Sequence, residues 1–75
     1  MKDLLSHMIQ GIIGKECEIS EEDSNGYIVF KVKVPQEDVG IIIGRSGKTI
    51  NAIKNVLKIN AIREGIRVDI QVEEV

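Results

Sequence analysis

The sequence contains little cysteine, proline or aromatic residue: one Cys, one Pro, one Tyr, one Phe and no Trp in 75 residues. The single thiol, at Cys17, cannot form an internal disulfide, and one Cys with one His supports neither a zinc site nor a cysteine nucleophile. No apolar run approaches the roughly 20 residues that cross a membrane. We therefore expect a soluble, cytoplasmic protein without a metal ion or cofactor. No pair of side chains suited to acid–base catalysis is evident, so we also expect no enzymatic activity.

The sequence is rich in apolar residues and nearly balanced in charge. Apolar residues make up 43% of the chain and the formal net charge is −2. A chain of 75 residues leaves room for one core, so residues 1–75 are predicted to form a single domain. The cations are concentrated in one stretch, since residues 40–67 contain Glu64 as their one acid. The basic residues of that stretch are Arg45, Lys48, Lys54, Lys58, Arg63 and Arg67.

The first half of the chain has the pattern of a helix followed by two strands. Apolar residues repeat at helical spacing from Leu4 to Ile13, and a short strand is predicted around Cys17 and Ile19. The polar stretch EEDSNG is predicted to be a solvated turn, and its Asn25-Gly26 pair is typical of a β-hairpin. Residues 28–34 then alternate between apolar and polar types, which predicts a half-buried strand.

The second half has the pattern of two helices and a strand. Pro35 ends the preceding strand, a short helix extends to Gly44, and a longer helix extends from about Gly47 to Ala61 with lysines and asparagines along one face. Residues 66–73 alternate clearly enough to predict a last strand. The order α-β-β-α-α-β indicates an α+β fold with one three-stranded sheet and helices packed on one face of it.

The stretch IIIGRSGKTI, residues 41–50, is a short glycine-rich loop between two apolar runs. Gly47-Lys48-Thr49 supplies the end of a Walker A phosphate loop, but that motif requires glycine at position 42, where the chain has Ile42. A dinucleotide-binding G-x-G-x-x-G pattern fails at the same residue. Both motifs also follow a strand, and a short helix is predicted here instead. The loop is therefore not expected to bind ATP or a dinucleotide.

What remains is a G-x-x-G motif, residues 44–47, between two helices. The pattern alone is weak evidence, because residues 11–14 repeat it with apolar inner residues inside the first predicted helix. The second copy instead contains Arg45 and Ser46. Its position favours an anion at a helix N-terminus, and its glycines allow a sugar–phosphate backbone to approach closely. The alternative is a tight corner between helices, in which the glycines serve only the backbone conformation.

The run VGIIIGRSGKTINAI, residues 39–53, resembles the core of the KH domain, a fold that binds RNA and single-stranded DNA through a GXXG loop. The matching features are Gly40, Ile43-Gly44, the Arg45-Ser46 pair, Gly47, and then Ile50 and Ile53. The order of elements resembles the type II, prokaryotic arrangement, and the resemblance extends over the whole chain. A stand-alone KH domain of this length is similar to the small bacterial single-KH RNA-binding proteins, which are regarded as RNA chaperones.

The resemblance implies a role for each residue around the loop. Gly44, Arg45, Ser46 and Gly47 would hold the nucleic-acid backbone, and Lys48 would add phosphate attraction. The apolar residues Ile42, Ile43, Ile50 and Ile53 would form one side of a groove for bases. The implied opposite wall is the second strand, residues 30–34, with a loop at residues 61–65. Two aromatic residues are too few for a stacking platform, so aliphatic contacts and hydrogen bonds would hold the bases.

The resemblance also implies partners. The expected ligand is single-stranded RNA, or single-stranded DNA, bound with low sequence specificity. The expected protein partner is a second copy of the chain or a larger KH-containing protein. Ile41 is predicted to lie away from the apolar face of its helix, as an exposed contact for such a partner or tucked under the adjacent loop. The alternative function is a protein-interaction or dimerisation module that retains the KH fold.

Overall fold

The computed structural model describes all 75 residues, in the predicted order of elements. No helix is long and apolar enough to span a bilayer. A single 3₁₀ turn, Arg45–Gly47, joins the second helix to the third. The helices and strands are α1 (Lys2–Ile13), β1 (Glu18–Ser24), β2 (Tyr27–Val34), α2 (Gln36–Ile43), α3 (Lys48–Glu64) and β3 (Arg67–Glu74).

The sheet has the strand order β1-β2-β3, with β2 at its centre. The β1 and β2 strands form an antiparallel hairpin, whereas β3 pairs parallel to β2, so that Tyr27 lies opposite Arg67 and Val34 lies opposite Glu74. A parallel pair needs a long crossover connection, which α2 and α3 provide. The α+β fold with one three-stranded sheet is therefore confirmed, and its mixed sheet leaves β3 as an edge strand in contact with α3.

One face of the sheet and the inner faces of the helices enclose the core. Along β2, Phe30, Val32 and Val34 are fully buried, in the period of two that a strand with one covered face requires. The helices contribute residues three or four apart. The core residues are Leu5, Ile9, Ile19, Phe30, Val32, Val34, Ile42, Ile53, Leu57, Ala61, Val68 and Ile70.

The first strand is longer than its sequence predicted. The acidic residues 21–23 were expected in a solvated turn, but they are exposed members of β1 that pair with residues 28–30. The turn itself is Asn25-Gly26, with φ angles of 51° and 82°, as a type I′ hairpin requires. Glu22 also forms an ion pair across the strands with Lys31 at 3.1 Å. Carboxylates on this edge strand disfavour pairing with another chain.

The third helix is also longer than predicted, because its C-terminus is closed by a Schellman motif rather than ending at Ala61. Gly65 has a φ of 70° and its N–H donates to the carbonyl of Ile62 at 3.1 Å. The N–H of Ile66 donates to the carbonyl of Ala61 at 3.0 Å. Residues 61–64 therefore belong to the helix, and the chain enters β3 directly after it.

Candidate nucleic-acid interface

The GXXG loop begins at a glycine that the backbone requires. Gly44 has φ 76° and ψ 176°, a region essentially open to glycine alone, and its N–H donates to the carbonyl of Gly40 at 2.9 Å. A Cβ added at Gly44 would collide with the Thr49 side chain and would lie 2.9 Å from the Thr49 backbone nitrogen. Gly44 therefore sets both the direction of the chain and the close approach of the first turn of α3.

The rest of the loop also has left-handed conformations. Ser46 has φ 56° and Gly47 has φ 76°, and the N–H of Gly47 donates to the carbonyl of Gly44 at 3.2 Å. A positive φ is uncommon for a serine. The tight turn that results leaves the side chains of Arg45 and Ser46 exposed to solvent.

The charge around the loop is positive and unpaired. Arg45 and Lys48 are exposed, and neither takes part in any ion pair of the structure. Lys48 begins α3, and no side chain caps that helix N-terminus. The first N–H groups of a helix lack intrahelical acceptors and carry a partial positive charge. Two free cations and these N–H groups can together bind the oxygens of an anionic backbone.

The apolar residues predicted beside the loop differ in exposure. Ile42 is fully buried and Ile53 nearly so, and both belong to the core. The prediction for Ile42 therefore needs correction, because a buried side chain supports the loop from below but has no surface for a base. Ile43 is 37% exposed at the end of α2, and Ile50 is half-buried in the first turn of α3. The side chains of Ile43 and Ile50 therefore leave apolar surface accessible to solvent next to the loop.

The predicted opposite wall of the groove is wrong. Residues 30–34 belong to the central strand, and their apolar side chains are completely buried. Residues 61–64 are the last turn of α3 rather than a loop. The element beside α3 is the edge strand β3, so a strand of nucleic acid lying along α3 would meet β3 instead.

A cavity of about 410 Å³ lies between the C-terminal half of α3 and the start of β3. The sequence interpretation missed this cavity, although a signal for it exists. At 100° per residue, Ile62 projects between Asn55 and Lys58, so an apolar side chain interrupts the polar face of α3. Ile62 is 76% exposed at the cavity. The other apolar residues of its lining are Tyr27, Ala61, Ile66 and Val68.

Three charged residues complete the lining of this cavity: Lys58, Arg67 and Asp69. Asp69 Oδ1 accepts the N–H of Ile70 at 2.8 Å and lies 3.4 Å from Lys54 Nζ. Lys54 is therefore partly neutralised by Asp69 and is a weaker candidate for a phosphate contact than Lys48. Lys58 has no such partner.

The remaining chemistry-bearing side chains lie outside this interface. Cys17 is half-buried just before β1, and burial raises the pKa of its thiol, which disfavours the reactive thiolate. His7 is exposed on α1. No group of His, Cys, Asp and Glu side chains is arranged to hold a metal ion.

Comparison with known proteins identifies the family. The family described as "KhpA/KhpB, KH domain" matches residues 2–72. The chain is 33% identical to the RNA-binding protein KhpA of Chlamydia caviae over 76 residues, which covers 99% of this chain and 97% of that protein. It is 32% identical to the RNA-binding protein KhpA of Clostridium acetobutylicum over 74 residues, or 96% and 99% of the two chains.

A third relative is the RNA-binding protein KhpA of Thermotoga maritima, 39% identical over 59 residues, which covers 76% of this chain and 79% of that protein. No solved structure matches the chain significantly. The family match and the first two relatives extend over nearly all of the elements described above. The chain therefore belongs to the KhpA/KhpB family of KH domains.

Proposed function

We propose that this protein binds single-stranded RNA with low sequence specificity, and that residues 44–47 hold the RNA backbone. The observation that carries the proposal is the exposed, unpaired charge of Arg45 and Lys48 on a glycine-held loop at the N-terminus of α3. The relatives that cover almost the whole chain are named RNA-binding proteins, which supports the same ligand.

The mechanism is positioning and charge attraction, with no chemical step. Gly44 and Gly47 present no Cβ, so a phosphate can approach the main chain and accept hydrogen bonds from it. The Arg45 guanidinium and the Lys48 ammonium add charge-assisted contacts to phosphate oxygens. Ile43 and Ile50 offer aliphatic surface to the adjoining bases. Nothing in this arrangement requires a 2′-hydroxyl, so single-stranded DNA is expected to bind as well.

Weak binding of this kind suits an RNA-chaperone-like action. A clamp that contacts the backbone accepts many sequences, and a small number of phosphate contacts allows rapid release. The protein would then hold RNA transiently in an unpaired form without processing it. We accordingly assign it a binding role rather than an enzymatic one.

The test is a titration of a short labelled single-stranded RNA, followed by fluorescence anisotropy. The variant Arg45→Asp/Ser46→Asp reverses the charge of the loop, and Asp tolerates the positive φ of Ser46 better than most residues. We expect its affinity to fall at least about tenfold, because it loses one phosphate contact and gains two repulsive charges.

The matched control is Lys2→Asp/Gln10→Asp, which makes the same change of charge at two exposed positions of α1. Lys2 is far from the GXXG loop. Its neighbour Met1 lines a second cavity together with Arg63, which is in the last turn of α3. That turn is about 25 Å from the loop along the helix. The control should bind nearly as the wild type does. Equal affinities for the two variants, with circular dichroism showing both folded, would reject the backbone clamp.

The second candidate function is pairing with another copy of the chain or with a larger KH-containing protein. Ile41, which is 50% exposed on α2, is the observation that favours it. If Ile41 is a dimer contact, Ile41→Lys should shift the molar mass from light scattering toward that of a monomer. Gln36→Lys is the control, since it adds the same charge to the same helix at an exposed position. An unchanged monomer for the wild type at every concentration would exclude self-association.

A further inference from the structure

The side chain of Thr49 lies against the α-carbon of Gly44, the first residue of the GXXG loop. The space that a Cβ of Gly44 would fill is occupied by Thr49 Oγ1, and Thr49 Cβ is 2.8 Å from that position. At Gly47 the nearest such neighbour is 3.7 Å away, and at the remaining glycines there is none within 4 Å. The close contact with Thr49 is therefore particular to Gly44 and is not a general feature of the glycine turns.

Few other contacts hold the GXXG loop in place. The N–H of Gly44 donates to the carbonyl of Gly40 at 2.9 Å, and the N–H of Gly47 donates to the carbonyl of Gly44 at 3.2 Å. No side-chain hydrogen bond or ion pair reaches residues 44–47, and none of these residues is buried. Thr49 is therefore the side chain that most directly limits movement of the backbone at Gly44.

The loop has a composition that would otherwise leave it flexible. Glycine has more conformational freedom than any other residue, and two of the four positions are glycine. Ser46 also has a φ of 56°, which serine seldom adopts. A flexible loop loses this freedom when it binds a ligand, and the loss weakens the affinity. A loop that is already held in its binding conformation avoids that loss.

Threonine is well suited to hold a neighbouring backbone in place. Two heavy atoms on its Cβ restrict its χ1 angle within a helix. Thr49 is the second residue of α3, so the helix that follows fixes its own backbone. Its side chain is half-buried, and no hydrogen bond within the protein engages its hydroxyl. The contribution of Thr49 to the loop is therefore packing.

Thr49 also lies on a different side of α3 from the residues that we assign to the ligand. At 100° per residue it projects about 100° away from Lys48 and about 160° away from Asn51 around the helix. Lys48 and Asn51 belong to the exposed polar face of α3. Thr49 therefore supports the loop from behind and leaves the side that faces the RNA backbone open.

We propose that Thr49 is a positioning residue for the RNA clamp. By packing on Gly44 it holds residues 44–47 in the conformation that presents Arg45 to the RNA backbone. The proposal rests on the RNA-binding function above and identifies the residue that orders the site before RNA binds. Thr49 raises the affinity without touching the ligand, because it removes conformational freedom that the free protein would otherwise lose on binding.

The first test is Thr49→Ala, which removes the branched side chain and keeps a residue of high helix propensity. We expect it to weaken the binding of a short single-stranded RNA about threefold to tenfold. The dependence of affinity on salt should keep its wild-type slope, because the number of phosphate contacts is unchanged. The amides of residues 44–47 should exchange their hydrogens faster in the free variant than in the free wild type.

Two conservative variants separate the packing of Thr49 from its hydroxyl. Thr49→Val keeps the branched shape without the hydroxyl and should bind RNA nearly as the wild type does. Thr49→Ser keeps the hydroxyl without the methyl group and should lie between the wild type and Thr49→Ala. Val56→Ala is the matched control, because it shortens a β-branched side chain two turns further along the same side of α3. It should change neither the affinity nor the amide exchange of the loop.

All variants are compared under conditions in which circular dichroism shows them folded. Wild-type affinity for Thr49→Ala, or unchanged amide exchange in its loop, would overturn the positioning role and leave the clamp intact. Weak binding by Thr49→Val beside normal binding by Thr49→Ser would also overturn it, since the hydroxyl would then be the group that matters. Failure of the wild-type protein to bind the RNA would overturn the proposed function itself, and the role of Thr49 with it.

Discussion

At the scale of single residues, Gly44 and Gly47 make a matched pair. Both have a φ of 76°, but a Cβ at Gly44 would collide with Thr49, whereas at Gly47 its nearest neighbour is Asn51 Nδ2 at 3.7 Å. We expect Gly47→Ala to lower the free energy of unfolding by about 1 kcal/mol, the usual cost of a left-handed non-glycine residue. Gly44→Ala should lower the free energy of unfolding by about 2–4 kcal/mol. Its φ and ψ angles are less accessible to alanine than those of Gly47, and the collision of the new Cβ with Thr49 adds to the loss.

The two losses can be compared by urea denaturation, with circular dichroism as the readout. A domain of this size has a stability on the order of 4–11 kcal/mol, so both variants are expected to stay folded enough to measure. If Gly44→Ala lowers the free energy of unfolding no more than Gly47→Ala does, the close approach of Thr49 to Gly44 does not require glycine at position 44. In that case the glycine at position 44 would serve the ligand alone.

The residues of the loop could be found from the sequence, but the exposure of the apolar residues just before it could not. The G-x-x-G pattern and its two polar inner residues depend only on chain order, and the structure has Arg45 and Ser46 exposed as that reading requires. Ile42 and Ile43 are equivalent in hydrophobicity and adjacent in sequence, yet one is buried and the other is partly exposed. Packing of α2 against the rest of the core decides between them, and a single sequence does not contain that information.

At the scale of elements, the helical and strand periods predicted the order of the fold, and tertiary contacts decided where two elements end. The acidic residues 21–23 have low strand propensity, but hydrogen bonding to β2 and the Glu22–Lys31 ion pair hold them in β1. Residues 61–64 continue α3 because Gly65 closes it. The pairing order of the strands was also beyond the sequence pattern, and it is this order that makes β3, not β2, the neighbour of the candidate groove.

An ion pair joins the start of α2 to the segment that follows α1. Asp38 is the one charged residue among the buried set, and its Oδ2 lies 2.8 Å from Lys15 Nζ. Lys15→Gln would leave this carboxylate buried without a counter-charge. We expect it to destabilise the protein more than Lys31→Gln does, because the partner of Lys31, Glu22, is well exposed to water.

The same pair predicts a dependence on alkaline pH. The hydrogen bond from Lys15 to the Asp38 carboxylate, with the negative charges of Asp38 and Glu37, raises the pKa of Lys15 above its ordinary value of 10.5. The folded state then holds this proton more tightly than the unfolded state does. The resulting stabilisation is complete below pH 10.5 and is lost as the pH rises through the raised pKa.

Urea midpoints measured from neutral pH to above pH 10.5 should therefore show a smaller alkaline loss for Lys15→Gln than for the wild type. The pKa of Lys31 is raised as well, chiefly by its hydrogen bond with Glu22, so part of the alkaline loss remains in that variant. Identical alkaline slopes for the two proteins would show that the Lys15–Asp38 pair contributes nothing to the pH dependence.

At the scale of the whole molecule, the net charge of −2 hides a separation of charge. The β1 strand carries an exposed acidic run at one edge of the sheet, whereas the polar face of α3 and the GXXG loop carry exposed cations. Opposite charges kept apart in this way allow a polyanion to approach the basic side of an acidic protein. Net charge alone would have argued against RNA as a ligand, and the order of the residues along the chain argues for it.

This separation predicts how affinity depends on salt. With roughly three phosphate contacts, from Arg45, Lys48 and one further cation, the logarithm of the association constant should fall with the logarithm of salt concentration at a slope of about −2. Arg45→Ala should make that slope shallower by about 0.7, since one contact is lost.

Glu21→Gln, on the acidic edge, is the control. It changes the net charge by the same amount as Arg45→Ala but should leave the slope unchanged, because exposed charges more than about 10 Å apart are screened at 0.1 M salt. Anisotropy titrations at several salt concentrations measure all three slopes. An Arg45→Ala slope equal to that of the wild type would mean that the loop does not contact phosphates, whatever the affinity.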